Sequence, residues 1–224
     1  MAPKTQAVAR LIALDGSRGA DVEKSAIRLA AALQKHGLRC VVSRWDASGL
    51  FGELAQGAAH AATSPRTLSL VFAADLAFRL RWEIRPALDS GAVVIAAPYI
   101  ETAIAFGAGC GLPEQWLREL LRFAPVPGVQ CLARERKLAR TWKPRLDRGY
   151  AEYCAALFGR STPGRLTKKT RTAVRDGLEA ARGRQVYPLQ GRGLDRTVKA
   201  ITAHLRQGQG GPTYAKASVG RHRS

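Results

Sequence analysis

The chain has 224 residues, 46% of them hydrophobic, with 36 Lys/Arg against 17 Asp/Glu for a net charge of +19. That length suits one globular domain with a sizeable core, and its longest apolar runs, Leu11–Leu14 and Ala92–Ala97, fall far short of a membrane span. No apolar leader stretch stands near Met1, and Cys40, Cys110, Cys131 and Cys154 are scattered with neither a C-x-x-C pair nor histidines at ligand spacing; we expect a cytoplasmic protein with reduced thiols, no metal site and no membrane contact.

In chain order, Val8–Leu14 reads as a buried strand and Asp15–Ala20 as a glycine-containing turn. Asp21 is a good N-cap for a helix over Val22–His36, whose Val22, Ala26, Leu29, Ala30 and Leu33 recur at helical spacing before Gly37. Arg39–Arg44 predicts a second strand, Leu50–Ala62 a helix stopped by Thr63-Ser64-Pro65, and Leu68–Leu88 a long helix that must loosen around Pro86. Ala92–Ala96 has the continuous apolar character of a central parallel strand. Glu114–Phe123 predicts a short helix, Val129–Ala133 a strand, Pro144–Phe158 and Leu166–Ala181 further helices, Gln185–Pro188 a last strand and Leu194–Leu205 a closing helix. Strands alternating with helices indicate an α/β fold, a three-layer parallel sheet of about five strands flanked by helices. The domain is taken as residues 1–206; the Gly-rich basic tail 207–224 is expected to be disordered.

The positive charge is concentrated. Between Arg134 and Arg184 there are fifteen Lys/Arg against five Asp/Glu. Arg165, Lys168, Lys169, Arg171 and Arg175 fall on or beside one predicted helix and are candidate polyanion-binding residues, for nucleic acid or an acidic protein. A solvated basic surface explains the same pattern.

The first turn resembles a phosphate-binding loop. Such loops follow G-x-x-x-x-G-K-[ST], so that backbone N–H groups cradle phosphate, Lys reaches the outer phosphates and the hydroxyl holds Mg²⁺. Here Gly16 and Lys24-Ser25 are present, but Glu23 stands in place of the glycine before the lysine and the loop is two residues too long. Asp21 and Glu23 put negative charge where a triphosphate needs donors.

Further segments resemble the thymidylate kinases, P-loop enzymes acting on nucleoside monophosphates. Ser43-Arg44-Trp45-Asp46 with Gly49 and Glu53 is similar to their R-E-P-G-G-T…G-E; Leu70–Leu76 to L-L-F-A-A-D-R; Ile84–Ile95 to I-x-P-A-L-x-x-G-x-V-V-I; and Tyr99-Ile100 with Gly107–Leu112 to D-R-Y-I and G-A-G-R-G-L. The resemblance spans roughly Val8–Leu205 and implies a P-loop NTPase-like fold, transfer of the ATP γ-phosphoryl group to dTMP with Mg²⁺, and homodimers paired through a helix such as Leu68–Leu88.

It also implies where chemistry is missing. The carboxylate inside the family loop is Arg18, the Asp-Arg before the tyrosine is Ala97-Pro98, the arginine closing F-A-A-D-R is Leu76, and the arginine of G-A-G-R-G is Cys110. What remains is a phosphate-binding remnant of Gly16, Arg18, Lys24 and Ser25, and a monophosphate pocket remnant of Arg44, Phe72 and Tyr99. Each has a plainer reading: Phe72 as core, Arg44 and Lys24 as solvated charges, Gly16 as a turn residue. The sequence therefore points to a thymidylate kinase-like pseudokinase with weak nucleotide binding or a protein-interaction role. Two alternatives stand beside it: an active dTMP kinase needing ATP and Mg²⁺, and a nucleic-acid-binding protein using the basic 134–184 region.

Overall fold

The computed structural model describes residues 8–16, 19–45, 47–50, 53, 64–133, 172, 176–177, 186–188 and 193–207. Its strands are β1 (Val8–Asp15), β2 (Cys40–Arg44), β3 (Val93–Ala97), β4 (Pro127–Leu132) and β5 (Val186–Pro188). They form one parallel sheet in the order β2-β3-β1-β4-β5. The helices are α1 (Gly19–Lys35), α2 (Pro65–Arg79), α3 (Arg85–Asp89), α4 (Ile100–Gly109), α5 (Glu114–Leu120) and α6 (Gly193–Gln207). This is the α/β, P-loop NTPase-like architecture expected.

Both faces of the central strands are buried, because successive side chains point to opposite sides of the pleat. Leu11 and Ala13 of β1, with Val94 and Ala96 of β3, pack under α2, α4 and α5. Ile12 and Leu14, with Val93 and Ile95, pack under α1 and α6. The β1–β4 contact is tight: a Cβ on Gly128 would come within 2.6 Å of Ala9 Cα and 2.7 Å of Ala9 O. Backbone cannot yield there as a side-chain tip can, so Gly128→Ala should lower unfolding stability by about 1–3 kcal/mol. A urea melt unchanged from wild type would show that β4 parts from β1 freely.

Several helix boundaries differ from the sequence reading, and three of the differences have a local cause. Helix α1 begins at Gly19, so Asp21 lies inside the first turn, where its charge meets the helix dipole. Helix α2 begins at Pro65 rather than Leu68; Ser64 caps it, its Oγ accepting from Thr67 N at 3.0 Å. A Ser-Pro pair that reads as a stop for the helix before it is the start of the helix after it. The loosening expected near Pro86 is a π-helical turn over Leu80–Ile84, which links α2 to α3 and sends Arg85 N to Leu80 O.

Helix α4 has no counterpart in the sequence reading. Glu101–Gly107 are all buried, so the segment lacks the polar face that makes helical periodicity visible. Leu50 and Glu53 are helical, but the rest of the predicted 50–62 helix, the predicted 144–158 helix, most of 166–181 and the tail lie outside the described residues. The outer face of α2 and the π-helical turn leaves Leu70, Phe78 and Trp82 exposed. Among the described residues no helix is long and apolar enough to cross a membrane.

Candidate functional site

In open parallel sheets, ligands sit outside the carboxyl ends of the strands. Here those ends belong to Asp15 of β1, Arg44 of β2 and Ala97 of β3. The carboxylate at the end of β1 is engaged by the protein itself. Asp15 Oδ1 accepts from Tyr99 N at 2.9 Å, Thr102 N at 3.0 Å and Thr102 Oγ1 at 2.7 Å. The carboxylate thereby caps α4, taking N–H groups that a helix start leaves without intrahelical partners. Burial pushes the Asp15 carboxyl up to about 6, against the lowering effect of the Thr102 and Tyr99 bonds.

Gly16 N also turns inward, donating to Thr102 Oγ1 at 3.1 Å. A Cβ on Gly16 would lie 2.7 Å from Val22 Cγ2 and 3.1 Å from Ala133 Cβ, so the glycine permits close packing onto α1. Counted from Gly16, the G-K-[ST] positions of a P-loop of standard length fall on Asp21, Val22 and Glu23. Val22, at the lysine position, is completely buried. Lys24 is the sixth residue of α1 and exposed, and Ser25 beside it is half-buried. The structure therefore places the Lys-Ser pair in the second turn of α1, beyond the strand-to-helix junction. Ser17 and Arg18 lie outside the described residues.

Arg44 leaves the end of β2 and meets Glu23, with Nη1 at 2.9 Å from Oε1. The cation that the resemblance assigns to a monophosphate is thus engaged by a carboxylate from the first turns of α1. Its neighbour Trp45 turns inward and packs edge-on to Phe72, ring centroids 5.0 Å apart at 67°. Phe72 is fully buried, and so is Tyr99, whose hydroxyl donates to Pro125 O at 2.8 Å. Phe72, Trp45, Leu76 and Tyr99 belong to one hydrophobic cluster. The pocket remnant is therefore split, with two aromatics in the core and Arg44 at the surface. The polyanion candidates Arg165, Lys168, Lys169, Arg171 and Arg175 lie outside the described residues.

Three residues that sequence reasoning did not single out organise this end of the sheet: Asp15, Thr102 and Arg79. Arg79 has no exposed surface. Its Nε donates to Ser43 Oγ at 2.9 Å and its Nη2 to Ser43 O at 2.9 Å, while Nη1 and Nη2 reach Pro98 O at 3.3 and 3.2 Å. The guanidinium so ties the end of β2 to the cis Ala97–Pro98 peptide after β3. Ser43 Oγ in turn donates to Glu83 Oε2 at 2.6 Å. Burial pulls the Arg79 pKa down while Asp75 and Glu83 favour its charge. An Asp–Arg–Glu series at i, i+4, i+8 on one helix is the signal that would have found it.

Among the described residues, those at the family's metal and phosphate positions do not suit Mg²⁺. Ala97 supplies a methyl group at the end of β3, Val22 a packed isopropyl group, and Glu23 is committed to Arg44. Among the described residues no three His, Cys, Asp or Glu side chains gather as a metal would require.

No family model matches the chain. It is 35% identical over 145 residues to the thymidylate kinase of Thermomicrobium roseum, a match covering 58% of this chain and 69% of that protein. It is 31% identical over 131 residues to the probable thymidylate kinase of Thermococcus gammatolerans, covering 54% of this chain and 63% of the relative. Against the thymidylate kinase of Xanthomonas oryzae pv. oryzae the identity is 38% over 128 residues, with 54% of each chain covered. The chain thus spans from about half to just over two thirds of these relatives' lengths.

Proposed function

We propose that this chain, which belongs to the thymidylate kinase family, is a pseudokinase: it keeps the scaffold, has lost most or all phosphoryl transfer, and serves in weak nucleotide binding or protein interaction. The observation that carries this reading is the start of α1. Val22 occupies the lysine position of a standard-length loop and is packed against Gly16, while Glu23 engages Arg44. Phosphoryl transfer depends on positioning and on neutralising charge that develops on the moving group. Loss of one such donor typically costs about 10²–10³-fold in rate, and here several of the family's groups are replaced together.

The alternative, an active dTMP kinase using ATP and Mg²⁺, is favoured by the identity to named thymidylate kinases. A coupled assay with ATP, Mg²⁺ and dTMP decides between them. We expect no turnover above background; a rate within the usual kinase range of about 1–100 s⁻¹ would refute the pseudokinase reading. Calorimetry with ATP–Mg²⁺ and with dTMP, run separately, then distinguishes a residual binder from a scaffold that takes neither.

A further inference from the structure

The two helical layers carry charge differently. On the α2–α5 side, including the π-helical turn, the elements hold five Lys/Arg and six Asp/Glu. Much of that charge is engaged: Arg118 bridges Glu114 and Glu101, Arg66 lies over the Trp116 ring, Arg81 lies over Trp82, and Arg79 is buried. On the other side, α1 and α6 hold six Lys/Arg and three Asp/Glu.

All six of those cations, Lys24, Arg28, Lys35, Arg196, Lys199 and Arg206, are exposed. None forms an ion pair with a described carboxylate. Of the three acids, Glu23 is turned to Arg44 and Asp21 is half-buried, which leaves Asp195 as the exposed one. The helices adjoin, since Val22, Ala26 and Leu29 of α1 share a core cluster with Val198, Ile201 and Leu205 of α6. Neighbouring helix axes lie about 8–10 Å apart and residues one turn apart about 5–6 Å. The outer faces therefore present a two-row array of positive charge.

We propose that the joined outer faces of α1 and α6 bind the phosphate backbone of a duplex nucleic acid. The composition of the face selects this occupant. Ile27 is its one large exposed apolar side chain among the described residues. A membrane-surface helix needs a broad apolar face, and a protein interface is anchored by buried aromatic or apolar side chains. A phosphate backbone needs neither, because binding is driven by the release of condensed counterions. The inference is independent of the pseudokinase reading, and it uses none of the 134–184 residues.

The test is fluorescence anisotropy of the full chain with a labelled duplex of about 20 base pairs. If six phosphates are neutralised, affinity should fall roughly a thousandfold between about 50 and 200 mM salt. The variant Arg28→Ala/Arg196→Ala/Lys199→Ala should reduce the slope of log K against log salt by about 2.7, or 0.9 for each lost contact. The variant Arg81→Ala/Arg85→Ala/Arg122→Ala, on the opposite layer, should match the wild type. All six side chains are exposed, and far-UV circular dichroism checks that each variant is folded. The proposal is overturned if both variants weaken binding equally, which means diffuse net charge. It is also overturned if only Lys168→Ala/Lys169→Ala/Arg171→Ala weakens binding, or if anionic phospholipid vesicles bind and the duplex does not.

Discussion

Replacing Arg79 by methionine should destabilise the fold by about 3–5 kcal/mol, the range for removing one partner of a buried charged network. The guanidinium is fully buried and makes four hydrogen bonds, to Ser43 Oγ, to Ser43 O and twice to Pro98 O. Methionine fills comparable volume, so the loss comes from what is left behind. Two buried carbonyls lose their donors, and the Asp75 and Glu83 carboxylates lose the cation between them. Lysine would restore charge but not the planar fork that reaches two carbonyls at once, so Arg79→Lys should fall between wild type and Arg79→Met.

Urea unfolding followed by tryptophan fluorescence reads this directly. At a slope near 3 kcal/mol/M the midpoint should drop by about 1 M or more. Adding Glu83→Gln to Arg79→Met should recover part of the loss, because it removes one of the stranded carboxylates. A midpoint within about 0.3 M of wild type, under about 1 kcal/mol at that slope, would show that the buried arginine is replaceable. Its position matters for the site as well. Arg79 ties the end of β2 to the peptide after β3, at the carboxyl ends of the strands, where open parallel sheets take their ligands.

Arg79 also shows where sequence and structure part company. The strands were legible because parallel strands buried on both faces are continuous apolar runs, as in Leu11–Leu14 and Val93–Ala97. An arginine in an amphipathic helix reads as a solvated charge, and only the fold reveals that its side chain crosses the sheet ends. Lys24-Ser25 shows a second gap between motif and backbone. The dipeptide looks like a phosphate-loop signature, yet α1 begins at Gly19 and carries the pair one turn further into the helix. Helix α4 was hidden because a helix buried on every side has no hydrophobic period to detect. Phe72 follows its plainer reading as a core residue, and the Trp45 that packs on it stands where the resemblance has a polar glutamate.

Asp15 should give the protein a stability that declines as pH rises through mildly acidic values. Burial raises its carboxyl from an ordinary 3.8 to about 6, and the three bonds from Tyr99 and Thr102 only partly oppose this. Between those two values the folded chain holds a proton that the unfolded chain has released. Its contribution therefore favours folding at low pH and is lost as pH rises through about 6. The full swing is about 3 kcal/mol, at 1.36 kcal/mol for each pH unit of difference. Asp15→Asn keeps an oxygen acceptor for the α4 donors and removes the titration. Subtracting its pH profile from that of the wild type cancels the repulsion among the many cations, which both proteins share. From about pH 4.5 to 7.5 the wild type should lose about 2 kcal/mol relative to Asp15→Asn, the part of the swing that falls inside that window. A flat difference would show that Asp15 is ionised across the range and holds α4 as an ordinary charged cap. A difference of opposite sign would mean that the bonds from α4 outweigh desolvation.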